Sequence, residues 1–148
     1  GLDEAEFLTD ALRRSGRWTR PLKVLYAEDI ELNQQLVEMR FSQRKHRVDI
    51  AENGRVAVEM YASGGYDLIL MDAHMPVMNG LDAIRAIRRL EQGTDKHVPI
   101  IMLTARDDDI DKIVGLEVGA DAYETTFVGG IGIGKLPLRM RWRDRQHD

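Results

Sequence analysis

The chain has 148 residues, no cysteine and a formal net charge of −4 at pH 7. That length holds one domain with a real core and is short for two; the charge offers no global basic field for nucleic acid, and the missing thiols exclude a disulfide framework and thiolate metal sites. Hydrophobic content of 43% beside 31% charged residues is that of an ordinary globular protein; no apolar stretch reaches the roughly 20 residues of a membrane span and no signal-peptide pattern opens the chain, so a cytoplasmic location and no membrane partner are expected.

Residues 2–14 place Leu2, Phe7, Leu8, Ala11 and Leu12 among acids first and Arg13 and Arg14 last, a short amphipathic helix oriented to suit the helix dipole. Residues 15–21 read as a linker closed by Pro21. Leu22–Ala27 is an apolar strand ending in Glu28 and Asp29. Over residues 30–44, Leu32, Leu36 and Met39 form a helical stripe, and Val48–Ala51 is a second strand. Asn53-Gly54 opens a helix carrying Val56, Ala57, Met60 and Tyr61, which Gly64-Gly65 ends. Asp67–Met71 is a third strand, continued by Asp72 and a Met-Pro turn. Gly80–Leu90 is a helix with Leu81, Ile84, Ile87 and Leu90 inward; Val98–Leu103 is a fourth strand. Asp107–Val118 is a helix marked by Ile110, Ile113 and Val114, and Ala120–Thr125 a fifth strand. Strands alternating with helices of this length require crossover connections, and uninterrupted apolar runs fit strands buried on both faces. The reading is a doubly wound α/β domain with a five-stranded parallel sheet over residues 21–126, preceded by the helix and linker of 1–20 and followed by an atypical tail, 127–148.

In that tail, Phe127 to Gly134 is too rich in glycine for a helix and Pro137 breaks the pattern again. The helix that should cover the fifth strand is missing or replaced, and the tail reads as a sequence foreign to the rest. Gly129 to Lys135 nearly spells a phosphate-binding loop, but Leu136 and Pro137 supply neither the hydroxyl nor the helix it needs. The apolar surface then left open is expected to be covered by the helix of residues 2–14 or by a second copy of the chain.

The chemistry gathers at strand ends, where open parallel sheets bind their ligands. Asp72 ends one apolar run; Glu28 and Asp29 end another. Three carboxylates on one edge repel each other unless a cation or proton intervenes, which suits a hard divalent metal and a phosphoryl group. Thr104 alone reads as readily as a helix cap, Tyr123 alone as core, and the histidines are scattered, with His74 a surface-loop residue and no zinc site suggested. A metal-dependent phosphatase would need a general acid, and none is evident.

These residues stand in Leu25-Tyr26-Ala27-Glu28-Asp29, Met71-Asp72-Ala73-His74-Met75-Pro76 with Asn79-Gly80, Pro99 to Ala105, and Gly119-Ala120-Asp121-Ala122-Tyr123. In this order, residues 22–123 resemble the receiver domain of two-component response regulators; with Asn33-Gln34-Gln35, the first half is most similar to receivers of hybrid histidine kinases. The resemblance implies a flavodoxin-like sheet of order 2-1-3-4-5. It implies that Asp72 accepts a phosphoryl group from phosphohistidine, and that Glu28, Asp29, Asp72 and the backbone carbonyl of His74 hold Mg2+, with Mn2+ as a substitute. Thr104 would donate its hydroxyl to the phosphoryl group, small Ala105 would leave access, Tyr123 would swing inward as a switch, and His74 would modulate phosphoryl lifetime. The partner would be a histidine kinase or histidine phosphotransfer domain. No nucleic acid would be bound directly, and self-phosphorylation and autodephosphorylation would be the only activities, short of a conventional enzyme.

One departure matters. Receivers carry a lysine shortly after the tyrosine; here Thr126 holds that position, Phe127 follows, and Lys135 comes nine residues late. Loss of that cation predicts stronger metal dependence and weaker switching. It also keeps open a degenerate receiver serving as a phosphorylation-independent docking or dimerisation module.

Overall fold

The computed structural model describes residues 21–43, 45–105 and 108–126; the expected helix over 2–14, the linker before Pro21, the tail from 127 and the question of a final helix lie outside them. Strands and helices alternate: β1 (Lys23–Ala27), α1 (Glu31–Ser42), β2 (Arg47–Ala51), α2 (Gly54–Gly64), β3 (Leu68–Asp72), α3 (Gly80–Glu91), β4 (Ile100–Ala105), α4 (Asp109–Val118) and β5 (Ala122–Thr126). The five strands pair in parallel in the order β2-β1-β3-β4-β5, as the resemblance implied. Among the described residues no helix is long and apolar enough to cross a membrane.

The pleat sends alternate residues to opposite faces. Val24 and Tyr26 of β1, Leu68 and Leu70 of β3, and Ile101 and Leu103 of β4 pack on one face with Val37 and Phe41 of α1. Leu25, Ile69, Met71, Ile100 and Met102 pack on the other with Ala57 of α2 and Ala83, Ile84 and Ile87 of α3. Burial on both faces is why the strand sequences lack polar alternation. The helix punctuation works as its residue types require: the Asn53 side chain accepts the Val56 N–H at 2.9 Å, and Gly65 closes α2 at φ 75°.

Three apolar stripes fall differently from expectation. In α1, Leu32 and Met39 are 54% and 53% exposed, while Asn33, Val37 and Phe41 face inward. Apolar residues occur around this helix, so packing chose its rotation, seating the Phe41 ring on the sheet and Asn33 against Glu28. In α3, Leu90 is exposed because Glu91, beside it, turns inward to Tyr61 and Arg88. In α4, Ile110 and Ile113 are exposed, and Asp111 and Gly115 take the inner face. A Cβ at residue 115 would collide with the Met102 thioether.

Gly80 marks a close approach of backbone to backbone. A Cβ there would run into the Asp72 carbonyl oxygen, and the Gly80 N–H donates to the Ala73 carbonyl at 3.0 Å. Gly80→Ala should therefore lower unfolding free energy by about 1–3 kcal/mol, the usual cost of overpacking, as read by urea titration. An unchanged midpoint would show that the loop after β3 yields freely.

Candidate functional site

Strand order reverses between β1 and β3, and the crevice outside the carboxyl ends of those strands is where this sheet type binds ligands. Glu28 and Asp29 follow β1 and Asp72 ends β3. One carboxylate oxygen of each lies within 4.8 Å of the other two. The three sequence-predicted acids do meet.

Glu28 is 2% exposed and tightly held. Its Oε1 accepts the Tyr26 hydroxyl at 3.0 Å and the Asn33 amide at 3.2 Å, and its Oε2 accepts the Ile30 N–H at 3.2 Å. Tyr26 and Asn33 were not picked out from sequence as site residues. The strand period offered a signal for Tyr26, two residues before Glu28 on the same face. Asn33 needed the helix rotation that the stripe did not reveal.

Asp72 carries the electrostatic consequence. Burial, then the neighbouring Glu28 and Asp29 charges, push its carboxyl up to about 8, against the pull of the His74 N–H, which donates to Asp72 Oδ1 at 3.2 Å. Burial and the Glu28 charge likewise push the Tyr26 phenol up, so it remains a donor. The loop that follows is strained: Val77 sits at φ 69°, a region β-branched residues avoid, in a tight turn closed by Met78 N–H to the Pro76 carbonyl at 2.7 Å.

The donor set suits a hard cation. All-oxygen ligands in a charge-rich pocket match Mg2+, a dication would offset the repulsion that burial amplifies, and Asn33 Oδ1, buried beside Glu28 without a hydrogen-bond donor, could accept from an ion's water.

Thr104 is 1% exposed, one residue beyond Leu103, the partner of Asp72 across β3 and β4. Tyr123 lies on β5 opposite Met102, half-buried, with the Lys112 ammonium 5.7 Å from its ring centre. The backbone of Thr126 lies opposite Ala105 at the end of β5. His74 is exposed, and its imidazole reaches Asp108 and Asp111 at the start of α4. Burial lowers its pKa, but those carboxylates raise it further, for a net upward shift. Burial also pushes Asp111 up, whereas the Asp111 N–H leads the effects that lower Asp108.

The family model for the response regulator receiver domain matches residues 24–125. The chain belongs to that family. The receiver is 40% identical over 116 residues to hybrid signal transduction histidine kinase I of Dictyostelium discoideum, covering 75% of this chain and 7% of that protein. Among solved structures it is similar to the receiver domain of Ssk1 in its co-crystal with the histidine phosphotransfer protein Ypd1 of Saccharomyces cerevisiae (TM-score 0.66, 32% identity, 71% of this chain and 78% of that one). It is also similar to the receiver domain of the sensor histidine kinase PA1611 of Pseudomonas aeruginosa PAO1, with a magnesium ion in its active-site cleft (TM-score 0.64, 34% identity, 72% and 85%). The receiver spans half or less of the length of the curated relatives it matches first. Two-component signalling is thus the setting of this domain.

Proposed function

We propose that the receiver takes a phosphoryl group from a phosphohistidine onto Asp72 and that this switches its partner interactions. The observation that carries the reading is the convergence of Glu28, Asp29 and a half-buried Asp72 at the sheet's switch point. A carboxylate oxygen of Asp72 would attack phosphorus; the N–P bond breaks, its electron pair returning to the imidazole, and an acyl phosphate forms. Burial and the Glu28 and Asp29 charges push the Asp72 carboxyl up, so without a cation the triad favours holding a proton, and a protonated Asp72 is a poor nucleophile.

Glu28, Asp29, Asp72 and the backbone carbonyl of His74 would hold Mg2+, with Mn2+ as a substitute. When bound, the ion favours the carboxylate form of Asp72 and neutralises charge on the phosphoryl oxygens. Tyr26 and Asn33 keep Glu28 in place for this role. Buried Thr104 would donate its hydroxyl to the phosphoryl group, and half-buried Tyr123 would follow it inward. The phosphoryl source would be a histidine kinase or a histidine phosphotransfer domain, in line with the Ypd1–Ssk1 pairing.

A second reading, a phosphorylation-independent docking or dimerisation module, is favoured by Thr126 standing where receivers carry lysine. Intact mass after incubation with a small-molecule phosphodonor and Mg2+ separates the two. The wild type is expected to gain one phosphoryl group and Asp72→Asn none, with chelation of Mg2+ abolishing the gain. A folded wild type that stays unmodified would sink the phosphoacceptor reading and favour docking.

A further inference from the structure

The mechanism above uses the backbone of His74 and leaves its imidazole without a task. That ring reaches across from the loop after β3 to the first turn of α4. Its Nε2 lies 2.5 Å from Asp111 Oδ2 and 3.3 Å from Asp108 Oδ2, and donor atoms of the three residues all lie within 4.8 Å of one another.

The acids are held in place by the helix itself. Asp108 caps α4, its Oδ1 accepting the Asp111 N–H at 3.0 Å, while its Oδ2 faces His74. Asp111, three residues on, lies on the same side of the turn. Asp111 is 9% exposed, and its Oδ2 is buried without accepting a hydrogen bond, although Nε2 lies beside it. A buried carboxylate oxygen in that condition is costly. One proton on Nε2 can hydrogen-bond only one of two facing oxygens; a dication among the three atoms engages all of them.

We infer that His74, Asp108 and Asp111 form a second divalent-cation site, for a borderline transition ion of the Zn2+ class, joining the loop after the phosphoacceptor strand to α4. The donor types set the class. Imidazole nitrogen and carboxylate oxygen are both donors that zinc accepts, and one of the first with two of the second is neutral once the dication is bound, whereas the all-oxygen triad of Glu28, Asp29 and Asp72 suits Mg2+. The His74 side chain is 66% exposed, leaving room for water to complete the coordination. The ion would tie together residues 34 apart in sequence, with His74 belonging to both sites, through its carbonyl at one and its ring at the other.

The test is calorimetric titration of the full chain with Zn2+ in excess Mg2+, which keeps the acidic triad occupied. One equivalent should bind; His74→Ala and Asp111→Asn should each weaken it roughly tenfold or more, and Asp29→Asn should leave it unchanged. His74 is exposed, so its replacement tests the site without threatening the fold. Absence of binding, binding untouched by His74→Ala, or binding lost in Asp29→Asn would each overturn the proposal, the last by placing the ion in the triad.

Discussion

In the absence of divalent cations at pH 8, Asp72→Asn should be more stable than the wild type by on the order of 2 kcal/mol, or roughly 5–10 °C in Tm. The folded-state carboxyl is pushed up to about 8 by burial and by Glu28 and Asp29, against about 3.9 for an unfolded aspartate. The folded protein therefore holds this proton more tightly than the unfolded chain. That contribution to stability is complete below about pH 4 and is lost as pH rises from about 4 to about 8. Asparagine carries no proton to lose, so the gap between variant and wild type opens across the same window and is smaller at pH 5 than at pH 8. The whole interval would be worth more than 2 kcal/mol for an isolated group, but three carboxylates share protons and relax together. Saturating Mg2+ should narrow or reverse the gap, because the ion gains most from the full set of charges. Thermal denaturation followed by circular dichroism, with chelator and with Mg2+ at pH 5 and pH 8, measures all four corners. Equal melting temperatures at pH 8 in chelator would mean that the three acids do not repel as their spacing requires.

Arg88→Met should cost about 3–5 kcal/mol, the price of stranding buried charge. Arg88 leaves α3 and reaches four acceptors: Glu91 and Asp121 carboxylates at 2.7 Å each, the Val98 carbonyl at 2.8 Å and the Gly119 carbonyl at 2.9 Å. Glu91 and Asp121 are 7% and 1% exposed. Burial by itself would push Asp121 up, yet the His97 ring, the Arg88 guanidinium and the Ile100 N–H together hold it below the usual carboxylate range. Its stability contribution is thus present above the ordinary aspartate pKa and lost as pH falls through the lower folded value. Removing the guanidinium raises that folded value, so the penalty should be largest near neutrality and shrink on acidification. Arg88→Lys should fall between, since one ammonium cannot span two carboxylates and two carbonyls. Chemical denaturation at pH 7 and pH 4 reads both effects. A loss below about 1 kcal/mol at pH 7 would show that His97 and backbone N–H groups suffice for these acids.

The exposed side chains of α1 and α4 show how far local pattern reaches. Leu32, Met39, Ile110 and Ile113 look like core residues by type and are not. Asn33 and Asp111 look like surface residues and are buried. In α1 the polar residue turned inward because another element presented it a partner, Glu28, whereas in α4 Asp111 turned inward beside the exposed His74 ring without gaining a hydrogen bond at Oδ2.

Five strands, the asparagine and glycine punctuation of α2, and acids at the ends of β1 and β3 were all legible in the order of the amino acids. Each depends on residues within a few positions of one another: a run of apolar side chains, a cap, a breaker. The sheet order came from the family's motifs, and the pairing bears it out. What only the tertiary structure decided was which helix faces turn inward and which distant polar groups meet. Glu28 with Asn33, His74 with Asp108, and Arg88 with Asp121 join residues 5, 34 and 33 positions apart. Backbone preference and hydrophobic periodicity act locally, whereas a buried polar group's partner is whatever the twisted sheet and packed helices bring within hydrogen-bonding distance.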